Sequence, residues 1–169
     1  MTSTIDPLTF YSNYHGHTTE DLLTLYNSFR DSDKDIIFLA GDSSLDNKYW
    51  VPHQSIEAFN GYEQVLNPPI FARQDISFWI NKLCVDQNKK LVCINGAVEE
   101  STLENRNTRQ DVFIESDIRT RGILIVSVGA NDIALHPSFW TILHLITYWC
   151  LHGNYTLESL ELRILCEFI

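Results

Sequence analysis

A hydroxyl held in a tight turn at the end of a buried strand is well placed for nucleophilic chemistry, and Ser43 stands in such a position. It lies in Gly41-Asp42-Ser43-Ser44, directly after Ile36-Ile37-Phe38-Leu39-Ala40. The five apolar residues read as a short strand buried on both faces. The four that follow are turn formers that can also cap a helix. This puts Ser43 at the carboxyl edge of a sheet, where open α/β sheets bind their ligands. Two other apolar runs end in residues of chemical interest. Gly96 lies just past Leu91-Val-Cys-Ile94, and Ile123 to Val128 runs into Gly129-Ala-Asn131-Asp132. The Asn131 amide carries two N–H donors that stay neutral at any working pH. Each residue also has a purely structural reading. Gly96 and Gly129 suit strand exits, Asn131 beside Asp132 suits an Asx turn or an N-cap, and Gly41–Ser44 could cradle an anion on backbone N–H groups. A nucleotide site is the weaker alternative, because the chain has neither a Walker lysine nor a Gly-x-Gly-x-x-Gly run.

The elements that must position these residues alternate between strand and helix. Residues 18–30 are expected to be helical, with Thr18 as N-cap, acids at 20 and 21, and an apolar stripe of Leu22, Leu25, Tyr26 and Phe29. After Ser43, Leu45 and the pair Tyr49-Trp50 suggest a helical turn. Asn60-Gly61 and Pro68-Pro69 then mark an irregular span. Residues 71–84 read as a helix with Ile76, Trp79, Ile80 and Leu83 on one side. The second strand is expected at 91–94, a charged and exposed loop over 99–109, a short helix over 110–118, and the third strand at 123–128. Strand, helix, strand, helix, strand is the pattern of a parallel, doubly wound α/β sheet. Residues 138–151 are apolar nearly all round and are expected to form a helix buried against that sheet. They are too few to span a membrane, which takes about 20 apolar residues. A last helix is expected from Thr156 onwards.

Composition restricts the class of partner. The chain has 169 residues with 12 Lys and Arg against 22 Asp and Glu, a formal charge of −10. That argues against nucleic acid, whose phosphates need clustered cations. The length fits a single domain, 1–169. Four cysteines, at 84, 93, 150 and 166, show neither CxxC nor metal-type spacing. With no secretory signal at the start, the expectation is reduced thiols and a cytoplasmic location.

Taken in order, the three strand ends resemble the SGNH (GDSL-type) hydrolase family over roughly residues 35 to 135. The matching blocks are Gly41-Asp42-Ser43, the glycine after the second strand, and Gly129-x-Asn131-Asp132. The resemblance implies a three-layer α/β/α fold of flavodoxin-like type and a serine esterase or acylhydrolase acting on a small ester, with no cofactor and no metal. Ser43 would be the nucleophile. Its own N–H, the Gly96 N–H and the Asn131 amide would form the oxyanion hole, and Asp42, Gly129 and Asp132 would support the loops. The family's Asp-x-x-His block has no counterpart. None of the histidines at 15, 17, 53, 136, 144 and 152 follows an acid by three residues, and His136 is the nearest candidate base. Only three of the family's five strands are recognisable, so the fold is expected to be incomplete on its C-terminal side. An open sheet edge could then serve self-association. The alternative reading is an inactive SGNH-like binding or interaction module.

Overall fold

The computed structural model describes residues 4–52, 54–105, 109–118, 122–134 and 137–152. The chain divides into two units, Met1–Asn131 and Asp132–Ile169.

The first unit opens with a helix that sequence periodicity does not show, α1 (Pro7–Ser12). Its start is nevertheless coded, since Asp6 accepts hydrogen bonds from the N–H groups of Leu8 and Thr9, both at 3.2 Å, and Pro7 fills the first turn. Helix α2 (Thr19–Phe29) is capped by Thr18, whose Oγ1 accepts from the Asp21 N–H and donates to the Asp21 carboxylate. Its stripe of Leu22, Leu25, Tyr26 and Phe29 is buried, as expected. Strand β1 (Asp35–Gly41) follows, then, beyond a single 3-10 turn at Tyr62–Gln64, α3 (Ile76–Asp86), β2 (Leu91–Asn95), α4 (Arg109–Asp117) and β3 (Ile123–Ser127), and the division between the units falls within α5 (Ala130–Ala134).

The sheet is open, parallel and three-stranded, in the order β2-β1-β3. Ile37 stands opposite Cys93 on one side and Ile123 on the other. Alternation along β1 sorts its side chains between two cores. Ile36, Phe38 and Ala40 pack with Leu22, Leu25, Tyr26 and Phe29 of α2 and Phe113 and Ile114 of α4. Ile37 and Leu39 pack with Leu45, Cys93 and Cys84, and with half-buried Ile76 and Ile80 of α3.

Four expectations need correcting. Helix α3 begins at Ile76 because Asp75 caps it, its Oδ1 accepting from the Phe78 N–H and the Ser77 hydroxyl at 2.8 Å each. Its inner face carries Ser77, Phe78, Asn81 and Cys84, while Trp79 and Leu83 are exposed. Asn81 turns inward because its amide bonds the N–H and the carbonyl of Cys93 in β2. The loop after β2 is not a solvated surface, since Glu99, Ser101 and Thr102 are buried. Nor is β3 buried on both faces. Ile123, Leu124, Ile125 and Val126 are all exposed, and no described strand lies on its outer side.

In the second unit, α6 (Phe139–His152) starts at Ser138, whose hydroxyl accepts from the Thr141 N–H at 3.1 Å. The helix forms where expected, but Phe139, Trp140, Ile142, Leu143 and Ile146 are exposed rather than buried. No helix among the described residues is long and apolar enough to cross a membrane. The helix expected from Thr156 lies outside the described residues, as does Cys166.

Candidate functional site at the carboxyl edge of the sheet

Three strands of one direction bring three loops to one edge, and hydrogen bonds tie those loops together. At the end of β1, the Asp42 N–H donates to the Ser127 carbonyl of β3 at 3.1 Å. The Ser44 and Ser127 hydroxyls lie 2.7 Å apart. From the loop after β2, the Val98 N–H donates to the Gly41 carbonyl at 2.8 Å, and the Ser101 hydroxyl reaches the same carbonyl at 3.3 Å. The Asn131 amide in turn donates to the Ser101 carbonyl at 3.0 Å. The segments carrying Ser43, Gly96 and Asn131 therefore meet at one end of the sheet.

Ser43 is half-buried, and neither its hydroxyl nor its N–H has a hydrogen-bond partner among the described residues. Asp42 is buried and braces the turn. One carboxylate oxygen accepts the Ser44 N–H at 3.0 Å, and its carbonyl accepts from Leu45 and Asp46. Its other oxygen, Oδ2, is buried with no partner among the described residues. Gly129 has φ +106°, the left-handed conformation that lets β3 turn into α5. Asp132 lies in the first turn of α5. His136 lies outside the described residues.

Gly96 departs from its expected role. Its N–H donates to the Leu39 carbonyl at 2.9 Å, continuing the β1–β2 ladder, so it is not free to meet a bound oxyanion. The need for glycine here is steric, because a Cβ would come within 2.7 Å of Ile114 and 3.2 Å of the Leu39 carbonyl. Asn131 is buried and spends one of its two N–H donors on Ser101.

Comparison with protein-family models, curated proteins and solved structures finds no match for this chain.

Several residues of this edge were not legible in the sequence. Ser101 sits in a Glu-Glu-Ser-Thr run that reads as solvated, yet it joins β1 to Asn131. Beside the edge lies a buried charged group. The Lys48 ammonium pairs with Asp46, both nearly inaccessible, and Asp46 Oδ2 also accepts the Glu99 N–H at 3.0 Å. His17, buried and stacked on Phe10 at 3.6 Å, keeps Nδ1 without a partner among the described residues. Burial first, then the Lys48 charge, hold its imidazole well below its usual range. A buried ammonium is uncommon unless paired. No spacing rule announces one in Asp46-Asn47-Lys48. A separate cleft of about 440 Å³ opens between Tyr26, Arg30, Lys34, Phe38 and Gly122, at the opposite, amino edge of the sheet.

Proposed function

We propose that the chain is a serine esterase or acylhydrolase of the SGNH (GDSL) type, with Ser43 as nucleophile and a small ester as substrate. The observation that carries this reading is the convergence of three strand-end loops on the turn that holds Ser43, whose hydroxyl and N–H have no partner among the described residues. The strand order β2-β1-β3 and the two cores formed by alternate residues of β1 are in keeping with a three-layer α/β/α arrangement of this type. In the reaction, Ser43 Oγ would bond to the ester carbonyl carbon and lose its proton to a base. The bond to the leaving alcohol would break, and water would then release the acid. With the Gly96 N–H committed to the ladder, the oxyanion donors are the Ser43 N–H and the second N–H of Asn131. Asp42 and Gly129 hold the loops.

No imidazole hydrogen-bonds Ser43 among the described residues, and a serine hydroxyl is a poor nucleophile at neutral pH without one. Donors and binding alone leave a rate of the order of 10³ to 10⁴ over water when triad members are removed. Weak hydrolysis of p-nitrophenyl acetate is therefore expected. A fluorophosphonate probe tests the assignment. Labelling should vanish in Ser43→Ala and persist in Ser44→Ala, the neighbouring hydroxyl serving as the control. Equal labelling of both variants would remove Ser43 from the chemistry.

The second reading is an inactive SGNH-like interaction module. The commitment of the Gly96 N–H to Leu39 favours it, and absence of labelling in the unaltered chain would select it. Under either reading, the outer edge of β3 is the surface proposed for self-association and the cytoplasm the proposed location.

A further inference from the structure

Next to the carboxyl edge, three aromatic rings form a corner at the surface. Tyr14 comes from the loop before α2, Tyr49 and Trp50 from the loop after β1. Tyr14 and Tyr49 have ring centroids 5.1 Å apart at 88°, Tyr49 and Trp50 5.3 Å at 81°, and Tyr14 and Trp50 6.1 Å at 74°. The three ring planes are thus nearly perpendicular in pairs. Trp50 is 63 % exposed and Tyr49 45 %. Burying an aromatic side chain stabilises a fold, and here much of the Trp50 and Tyr49 surface is left in water.

The polar ends of two of the rings are fixed by carboxylates. The Trp50 Nε1–H donates to Glu99 Oε2 at 3.1 Å, and the Tyr14 hydroxyl to Glu100 Oε1 at 3.0 Å. Glu100 is held there by a backbone φ of 60°, a conformation side chains other than Asn and Asp seldom adopt. Fixed rings, near-perpendicular faces and two adjacent acids on a chain of formal charge −10 are complementary to one kind of guest. Aromatic faces carry negative potential and attract a cation placed over them. A fully alkylated ammonium has no N–H to spend on a carboxylate, so it gains most from ring faces with negative charge nearby.

We propose that Tyr14, Tyr49 and Trp50, with Glu99 and Glu100, bind a quaternary or methylated ammonium group. The site stands apart from the Ser43 reading, and Ser43→Ala should bind the same ligand unchanged.

Calorimetric titration at about pH 8 with choline and with neohexyl alcohol, its uncharged carbon isostere, tests the proposal. Choline should bind saturably and about tenfold more tightly than the alcohol, the size of one good cation–π contact. Trp50→Ala should lose about tenfold, while Trp50→Phe, which keeps a ring, stays within about threefold. Equal binding of choline and the alcohol overturns the proposal, as does the absence of saturable choline binding. Unchanged binding in Trp50→Ala overturns it too. Should Trp50→Ala fail to fold, Glu100→Gln at an exposed position decides: weakened choline binding supports the site, and unaltered binding rejects it.

Discussion

At the scale of single residues, Asp75 shows how a local gain is set against a burial cost. One oxygen caps α3, while the other is buried with no partner among the described residues. Burial raises its carboxyl from the ordinary 3.8 to about 6, against the opposing pull of the Phe78 N–H and the Ser77 hydroxyl. The sign follows from which state holds the proton. Between about pH 4 and 6 the folded chain keeps a proton that the unfolded chain has released, so stability falls as pH rises through that window. Above it the full cost, about 3 kcal/mol, is present. Asp75→Asn keeps a capping oxygen and cannot ionise. Relative to the unaltered chain, it should therefore gain up to about 3 kcal/mol between pH 4 and 7, read from urea melts at each pH. A constant difference across that range would show that Asp75 does not titrate there. The cap was open to reading in Asp75-Ile-Ser-Phe, but the missing second partner was not, because burial depends on what the rest of the chain brings.

At the scale of elements, the joint between β1 and β3 decides whether the carboxyl edge exists. Gly41 faces Ser127 in register, and a Cβ on it would lie 2.3 Å from the Ser127 carbonyl and 2.8 Å from Leu45. The carbonyl is backbone and cannot swing aside as a side chain could. Gly41→Ala should therefore cost about 2 to 3 kcal/mol, measured by denaturant unfolding. It should also shift the Asp42–Ser44 turn that follows Gly41, so probe labelling of Ser43 should fall even where the fold survives. A stable variant with full labelling would mean that the joint tolerates movement. Strand positions were legible here because continuous apolar runs between turn formers have few other uses, and all three strands appear within a residue or two of their expected ends. Helix faces were less so. The stripe of Ile76, Trp79, Ile80 and Leu83 in α3 was read from hydrophobicity, but the face is turned by two polar residues, Ser77 and Asn81, whose bonds to Asp75 and β2 make burial affordable.

At the scale of the whole molecule, a long-range field and an open edge oppose each other. The exposed side chains of β3, whose outer flank has no partner strand among the described residues, offer a template for the proposed self-association, while a formal charge of −10 makes two copies repel. Salt shortens the reach of that repulsion to about 8 Å at physiological strength and about 3 Å at 1 M. Association should therefore rise with salt, and Val126→Lys, at a position 57 % exposed, should reduce it several-fold in sedimentation equilibrium. Monomers at every salt concentration would mean that the edge is idle. The class of fold was legible at this scale because strand–helix alternation dictates a parallel sheet. The exposure of β3 was not, since its sequence, Ile-Leu-Ile-Val, is that of a strand covered on both faces, and composition cannot say whether a cover is present.

The order β2-β1-β3 also has a consequence for synthesis. The central strand is made first, yet its two neighbours are Leu91–Asn95 and Ile123–Ser127. At about 5 to 20 residues per second, roughly 4 to 17 s pass between the emergence of Ile37 and that of its partner Ile123. For that interval a strand with five consecutive apolar residues, Ile36 to Ala40, has left the ribosome with at least one flank unmatched. A nascent chain in this state is a natural client for a chaperone that binds extended apolar segments, until β3 arrives.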